Sequence, residues 1–499
     1  MKAGFEMVHG SSLDHPVMIQ THEPWMIGSN RPCLNMNQRN ELSEWVEQIT
    51  KQLIDDEDET NIPASSENNH NHHNSNNYDH SNNIISHHDN DHQGMNLMTL
   101  LFESAVAISV DNLGEARRIL LELSETASPY APSCAERVVA YFAQAMSTRI
   151  INSTLGVCNN NNNNNSTLFY YDVKNSHEYR NYQNTLLRNS IQAFNDVAPF
   201  LKFAHFTTNQ AILEAFHRRP FVHVIDLDFL HVGLLHWPAL LHGLATRPEG
   251  PPSHVRLTAL ASSASAAAEL LSEAGKQLSA FAKRLGISFE FIPLRSDVEI
   301  SELRLQINGN RDEREALAVH LLRHGLYDGP DRRTMRLVEE LRPRIFTLVE
   351  QDVAEHGGSF LDRFVGSLHY YSTVFDALGF CLGNDDLKRN MVENGVIYRE
   401  IRNALAAVGR LRSGGDEEEE VVGGSWRREM AARGWLAQVA MSRSAAAQGQ
   451  MIVNMFVSGG GYRVVVQGDG TIRIGWKETS LYTVSAWTSS SSCSTNSST

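Results

Sequence analysis

The stretch FVHVIDLD, residues 221–228, decides how this chain is read. It is short, rich in β-branched residues, apolar on both faces and acidic at its end. Such a run predicts a strand buried on both sides. Four more runs of the same kind follow: VRLTALA (255–261), ISFEFIPL (287–294), ALAVHLL (316–322) and RIFTLVEQD (344–352). Helical periodicity separates them, for example over 265–285 and 334–341. Apolar strands alternating with helices predict a parallel, doubly wound sheet. Near the end, YRVVVQ, TIRIGW and LYTVSAW are separated by Gly-Asp-Gly and Glu-Thr-Ser, which predicts antiparallel strands added to the sheet edge.

Upstream of residue 221 the pattern is all helical. Leu97, Leu100, Leu101, Ala105 and Ile108 recur at three- and four-residue steps, as do Leu113, Ala116, Ile119, Leu120 and Leu123. Asn112-Leu-Gly splits them into two helices. A third is expected from Cys134 to about Ile151 and a fourth over about 186–217. The fold class is therefore α/β: a Rossmann-like, mostly parallel sheet with antiparallel C-terminal edge strands and an N-terminal helical cap. The cap covers about 97–217 and the α/β core about 218–487.

The flanks differ in composition. Residues 1–93 carry 4 Lys/Arg and 15 Asp/Glu, and seven of the chain's 22 histidines lie in 70–92. This Asn/His-rich acidic arm has few large apolar residues and is expected to be disordered. One piece of it, 43–56, shows helical spacing of Trp45, Ile49, Leu53 and Ile54 behind a capping Ser43. A run of seven asparagines within 158–166 reads as a surface insertion, 413–425 as an acidic Gly-rich loop, and 488–499 as a disordered Ser-rich tail.

The 499 residues carry a net charge of −15, which argues against a basic nucleic-acid glove. The basic clusters, His217-Arg-Arg, Arg332-Arg333 and Arg427-Arg428, are small and read as solvated helix faces. No apolar run approaches about 18 residues, so no membrane span is expected, and no secretory signal is visible at the N-terminus. Five cysteines without a CxxC pair fit neither a disulfide framework nor a cysteine zinc site.

Ligands of open α/β sheets sit at the carboxyl ends of strands. The turn there holds Gly233 alone, with Phe229 and Leu230 where a nucleotide site needs small residues. No cofactor, no metal site and no enzymatic activity are expected. Asp226, Asp228, Glu350 and Asp352 fall at strand ends. They read as helix caps or as partners of arginines such as Arg256 or Arg363, rather than as an acid pair or metal site. Leu97-Met-Thr-Leu100-Leu101 matches an LxxLL motif; a plain core-facing helix is the commoner use of that spacing, and these three leucines are the candidates for partner contact.

Val222, His223, Val224, Ile225 and Asp226 resemble the VHIID motif of the plant GRAS regulators. PFLKFAHFTTNQA (199–211) is similar to the segment that precedes that motif. Residues 344–352, with FLDRF (360–364) and HYYSTVFD (369–376), resemble the PFYRE region, and Arg399, Glu400 and Arg402 the RVER region. Trp476, Ser485, Ala486 and Trp487 match the terminal SAW motif. The resemblance spans roughly 94–487 and is closest to the Scarecrow and Scarecrow-like branch. The chain departs from the pattern after the first strand, where HVGLLH (231–236) replaces a Gly-Leu-Gln-type turn.

The resemblance implies a nuclear transcriptional regulator of plant development, concerned with radial patterning and asymmetric cell division. It implies partners among Short-root-type GRAS proteins and zinc-finger transcription factors, with DNA contacted indirectly. His223, Asp226, Trp237, Arg399, Glu400, Trp476 and Trp487 are expected to hold the motif regions together.

Overall fold

A computed structural model describes residues 80–154, 177–229, 236–261, 265–295, 298–308, 314–323, 325–327, 329–352, 358–383, 386–406, 425–456 and 461–489. The expected helix at 43–56, the asparagine run, the acidic loop up to residue 424 and the tail beyond 489 lie outside them.

The first strand, β1 (Phe221–Asp226), sits in the middle of the parallel part of the sheet. On one side it pairs β2 (His254–Ala261), which pairs β3 (Phe289–Arg295). On the other it pairs β4 (Ala316–Leu322), then β5 (Ile345–Gln351), all in parallel. This 3-2-1-4-5 order is the doubly wound arrangement, with its switch point between β1 and β4. Both strands are buried nearly end to end.

The sheet then turns antiparallel. β9 (Thr479–Ser489) pairs β5, β8 (Ile472–Trp476) pairs β9, and β7 (Tyr462–Val466) forms the edge. A further strand that the sequence reading does not foresee, β6 (Leu436–Val439), pairs the end of β9 beyond the last residue paired with β8. Four residues are too few for an alternating pattern to show.

The helices give two corrections. The expected helix over 186–217 is two, α4 (His177–Val197) and α5 (Phe200–Ala215). Pro199 has no N–H and disfavours helical geometry at the residue before it, so the run breaks there. Conversely α1 (His80–Ser109) begins inside the arm expected to be disordered up to residue 93. Once the Leu97–Ile108 face is packed, each added residue costs far less than nucleation did. The break before α2 (Leu113–Thr126) stands as expected: Asn112 caps that helix through Glu115 N, and Asp111 takes a φ of 60°.

The cap is also discontinuous in sequence. α1, α2 and α3 (Cys134–Thr154) pack on one another, and α10 (Phe360–Cys381) and α12 (Tyr398–Leu405) join them from far along the chain. Phe364 of α10 sets its ring edge-on against Phe102 and Phe142, 5.3 and 5.9 Å away. α5 instead lies on the sheet against β5 and β9, because its apolar residues cover both faces and need burial on both.

The remaining helices serve the core. α6 (Trp237–Thr246) follows β1, and α7 (Ser265–Arg284) packs on β2 and β3. α8 (Ile300–Asn308), α9 (Arg332–Leu341) and α13 (Trp426–Arg433) contribute to one apolar cluster with Ile225, Val319, Leu348 and Trp487. α11 (Leu387–Val392) runs through a π-helical turn, Glu393–Ile397, into α12, and α14 (Arg443–Asn454) lies on α5.

Candidate functional site

The carboxyl ends of β1 and β4 are where an open α/β sheet would take a ligand. Among the described residues, buried side chains crowd that end of the sheet. Trp237, at the start of α6, is buried and donates its Nε1–H to Asp226 Oδ2 at 3.2 Å. The other Asp226 oxygen accepts from the Asp228 backbone at 2.9 Å. Phe229 is buried against Phe291. His205, His236 and His320 converge beside Trp237, all buried.

The other strand-end acids are also bound. Glu350 Oε1 accepts from the Trp426 backbone at 2.7 Å, and Glu350 Oε2 accepts from Arg427 Nε at 2.9 Å. It thus caps α13 and pairs the first-turn arginine. Burial pushes its carboxyl up, against the pull of Arg427 and the two backbone N–H groups. Asp352 accepts from Thr483 at 2.6 Å and pairs Arg427 at 3.2 Å, tying β9 to the end of β5.

The arginines expected as partners serve elsewhere. Arg256 pairs Glu290 at 2.8 Å and Glu315 at 3.2 Å. Arg363 donates to the carbonyls of Ala404 and Ala406 at the end of α12. Lying on facing strands and helices, these pairs depend on tertiary neighbours that strand spacing does not encode.

The motif residues form the frame around this centre. His223 on β1 bonds Thr258 on β2 at 2.8 Å and lies 3.5 Å from Glu315, so one buried ring links β1 to β2 and to the residue leading into β4. Val222, Val224 and Ile225 are buried in the core. Glu400 accepts from Tyr371 OH at 3.1 Å and from Gln351 Nε2 at 3.0 Å, fastening α12 to α10 and β5. Arg402 lies over the Tyr398 ring, and burial lowers the pKa of both Arg399 and Arg402.

Trp476 donates to Asp376 Oδ2 at 2.5 Å, joining β8 to α10. Trp487 pairs Phe346 across β5 and β9 and bonds Ser485 at 3.0 Å, and Ala486 lies opposite Thr347. The segments that resemble the PFYRE, RVER and SAW regions therefore meet around β5 and β9, while β1 lies one strand away across β4.

The GRAS domain family profile matches residues 97–488. The chain belongs to the GRAS domain family.

This GRAS chain is 44% identical over 401 residues to Protein SCARECROW of Arabidopsis thaliana, covering 80% of this chain and 56% of that protein. It is 42% identical over 400 residues to Protein SCARECROW 1 of Oryza sativa subsp. indica, with the same coverage. It is 38% identical to Scarecrow-like protein 23 of Arabidopsis thaliana, covering 79% of this chain and 89% of that one. The match thus spans little more than half the length of the SCARECROW proteins. Among solved structures, that of SCL7 from Oryza sativa is 30% identical, with a TM-score of 0.60, covering 78% of this chain and 99% of that chain.

The LxxLL leucines take other places than a partner surface would require. Leu97 and Leu101 are buried in the cap and Leu100 is half-buried, because their spacing puts them on the face that meets α2, α3 and α10. The exposed apolar side chains of the cap are others, notably Val110 (69% exposed) at the end of α1 and Leu121 (63%) on α2. Both stand beside apolar neighbours in sequence, Ile108 before Val110 and Ile119-Leu120 before Leu121, so composition gives no signal of their exposure.

Proposed function

We propose that this GRAS chain is a transcriptional regulator of plant development that works by protein–protein contact rather than by catalysis. On this reading it acts in the nucleus, pairs with other GRAS proteins of the Short-root type, and reaches promoters through zinc-finger DNA-binding factors. Radial patterning and asymmetric cell division are the processes in which it acts. The observation that carries the reading is the state of the crevice at the ends of β1 and β4. Trp237, Phe229 and the convergent histidines are buried there, and Asp226, Glu350 and Asp352 are engaged in caps and pairs.

The cap helices α1 and α2, with Val110 and Leu121 exposed, supply the contact surface in this proposal. Light scattering of the full chain, alone and mixed with a Short-root-type GRAS protein, tests it. A 1:1 complex is expected. Two separate monomer peaks, together with tight binding to bare promoter DNA that weakens steeply with salt, would overturn the adaptor reading.

A further inference from the structure

Three histidines far apart in sequence meet at the switch point of the sheet. His205 comes from α5, His236 precedes α6, and His320 lies on β4 opposite Asp226. One ring nitrogen from each falls within a sphere of mutual separations no greater than 4.8 Å. The His205 and His236 rings are stacked at 4.0 Å, and His320 lies 5.2 Å from His236, centre to centre. All three are at most 2% exposed.

We propose that His205, His236 and His320 form a buried site for a divalent transition-metal ion of the zinc class, held through three neutral imidazole nitrogens.

Four features support the site. His320 Nδ1 lies 2.9 Å from Thr347 Oγ1, and that hydroxyl has Val319 O as its own acceptor at 3.4 Å. With the hydroxyl proton given to Val319 O, His320 Nδ1 is the donor to Thr347 and Nε2 keeps its lone pair, the tautomer this site requires. A metal-bound histidine is characteristically oriented by such an outer partner. Second, His320 Nε2 and His236 Nδ1 have no hydrogen-bond partner among the described residues, a costly state for buried polar atoms that coordination would relieve.

Third, burial of all three rings disfavours the charged imidazolium and so favours the neutral form that a metal ligand must be. Fourth, countercharge is at hand at the end of β1, where the Asp228 carboxylate acts electrostatically on His320. Imidazole donors suit zinc, copper or nickel rather than magnesium or calcium. Zinc–nitrogen bonds of about 2.0–2.1 Å put two ligands of a tetrahedral ion about 3.4 Å apart. Capture therefore draws the nitrogens together and splays the stacked pair. The ion would pin α5 and the start of α6 to the sheet.

The histidine-rich arm at 70–92 could also hold metal, so the experiment separates the two. The full chain is purified without chelator, its metal content measured, and the metal-free protein titrated with Co²⁺ while ligand-field bands and Trp237 fluorescence are followed. The Trp237 ring lies 4.0 Å from that of His236, so bound Co²⁺ must quench it.

The expected result is about one equivalent of tightly held metal per chain. That equivalent survives replacement of the seven arm histidines by alanine and is lost in His236→Gln. Thr347→Val should weaken affinity by about 10- to 100-fold. The Trp237 quench reads the site in the wild-type chain, so the test holds even if His236→Gln folds poorly. Absence of tetrahedral Co²⁺ bands and of quenching in the wild-type chain overturns the proposal. So does loss of all bound metal with the arm substitutions.

Discussion

Glu393→Gln should be among the most destabilising single changes in the cap. Glu393 lies in the π-helical turn and is fully buried. Its Oε1 faces Arg137 Nε of α3 at 3.2 Å and Arg389 Nε of α11 at 3.6 Å, and both guanidiniums are also buried. At an effective dielectric of about 20, each attraction is worth about 5 kcal/mol before desolvation is subtracted. Removing the one carboxylate leaves two buried cations facing each other.

Breaking a buried pair costs about 3–5 kcal/mol, and the loss of a carboxylate shared by two cations puts this site at the upper end. Arg137 keeps its bonds to the Ala131 and Pro132 carbonyls, so the repulsion cannot be relieved by swinging it out. Arg389→Met, by contrast, removes one cation from a cluster of net charge +1 and should cost less than half as much. Combined with Glu393→Gln it should recover part of the loss. Urea unfolding of the full chain, followed by helical circular dichroism, measures all three variants. An unchanged midpoint for Glu393→Gln, or a double variant weaker than the sum of the singles, would refute the reasoning.

Other expectations follow from the same geometry. Trp487→Ala empties a buried position beside Phe346 and Leu436 and should cost about 3–5 kcal/mol by chemical denaturation. Val110→Asp with Leu121→Asp should leave the melting temperature within a degree or two of wild type but weaken GRAS–GRAS association at least tenfold by light scattering. Both side chains are mostly exposed, so only a partner would bury them.

Burial pushes the Asp376 carboxyl up to about 6, against the pull of the Trp476 N–H. Lys477 lies 3.1 Å from it, but its side chain is 44% exposed and water weakens that attraction. The folded state then holds the Asp376 proton more tightly than the unfolded chain. Its contribution to stability is full below about pH 4 and falls through about pH 6, a change on the order of 2–3 kcal/mol. Asp376→Asn should flatten that part of the stability–pH curve, which thermal melts from pH 4 to 8 would show.

Much of this molecule was legible in order of appearance. Each of the five parallel strands is a short apolar run between helical stretches, and the three terminal strands are set off by turn residues. The cap break at Asn112 is announced by its own side chain. These signals are local, because backbone geometry imposes a two-residue period on strands and a 3.6-residue period on helices. The motif segments could likewise be picked out as strings before their places were known.

What the tertiary structure decided is who meets whom. β6 is too short to show a period, and the cap recruits α10 and α12 from more than two hundred residues away because aromatic faces find each other there. The spacing of Leu97 and Leu101 favours a core-facing helix over a partner contact, but only the neighbouring helices that close over them decide it. Glu350 and Asp352 could have made a catalytic pair until Arg427, Trp426 and Thr483 took their oxygens. His205, His236 and His320 share no spacing at all. A helix, a loop and a strand bring them together at the crossover between β1 and β4. Contacts of that kind depend on how the sheet is wound, and local residue patterns carry no record of the winding.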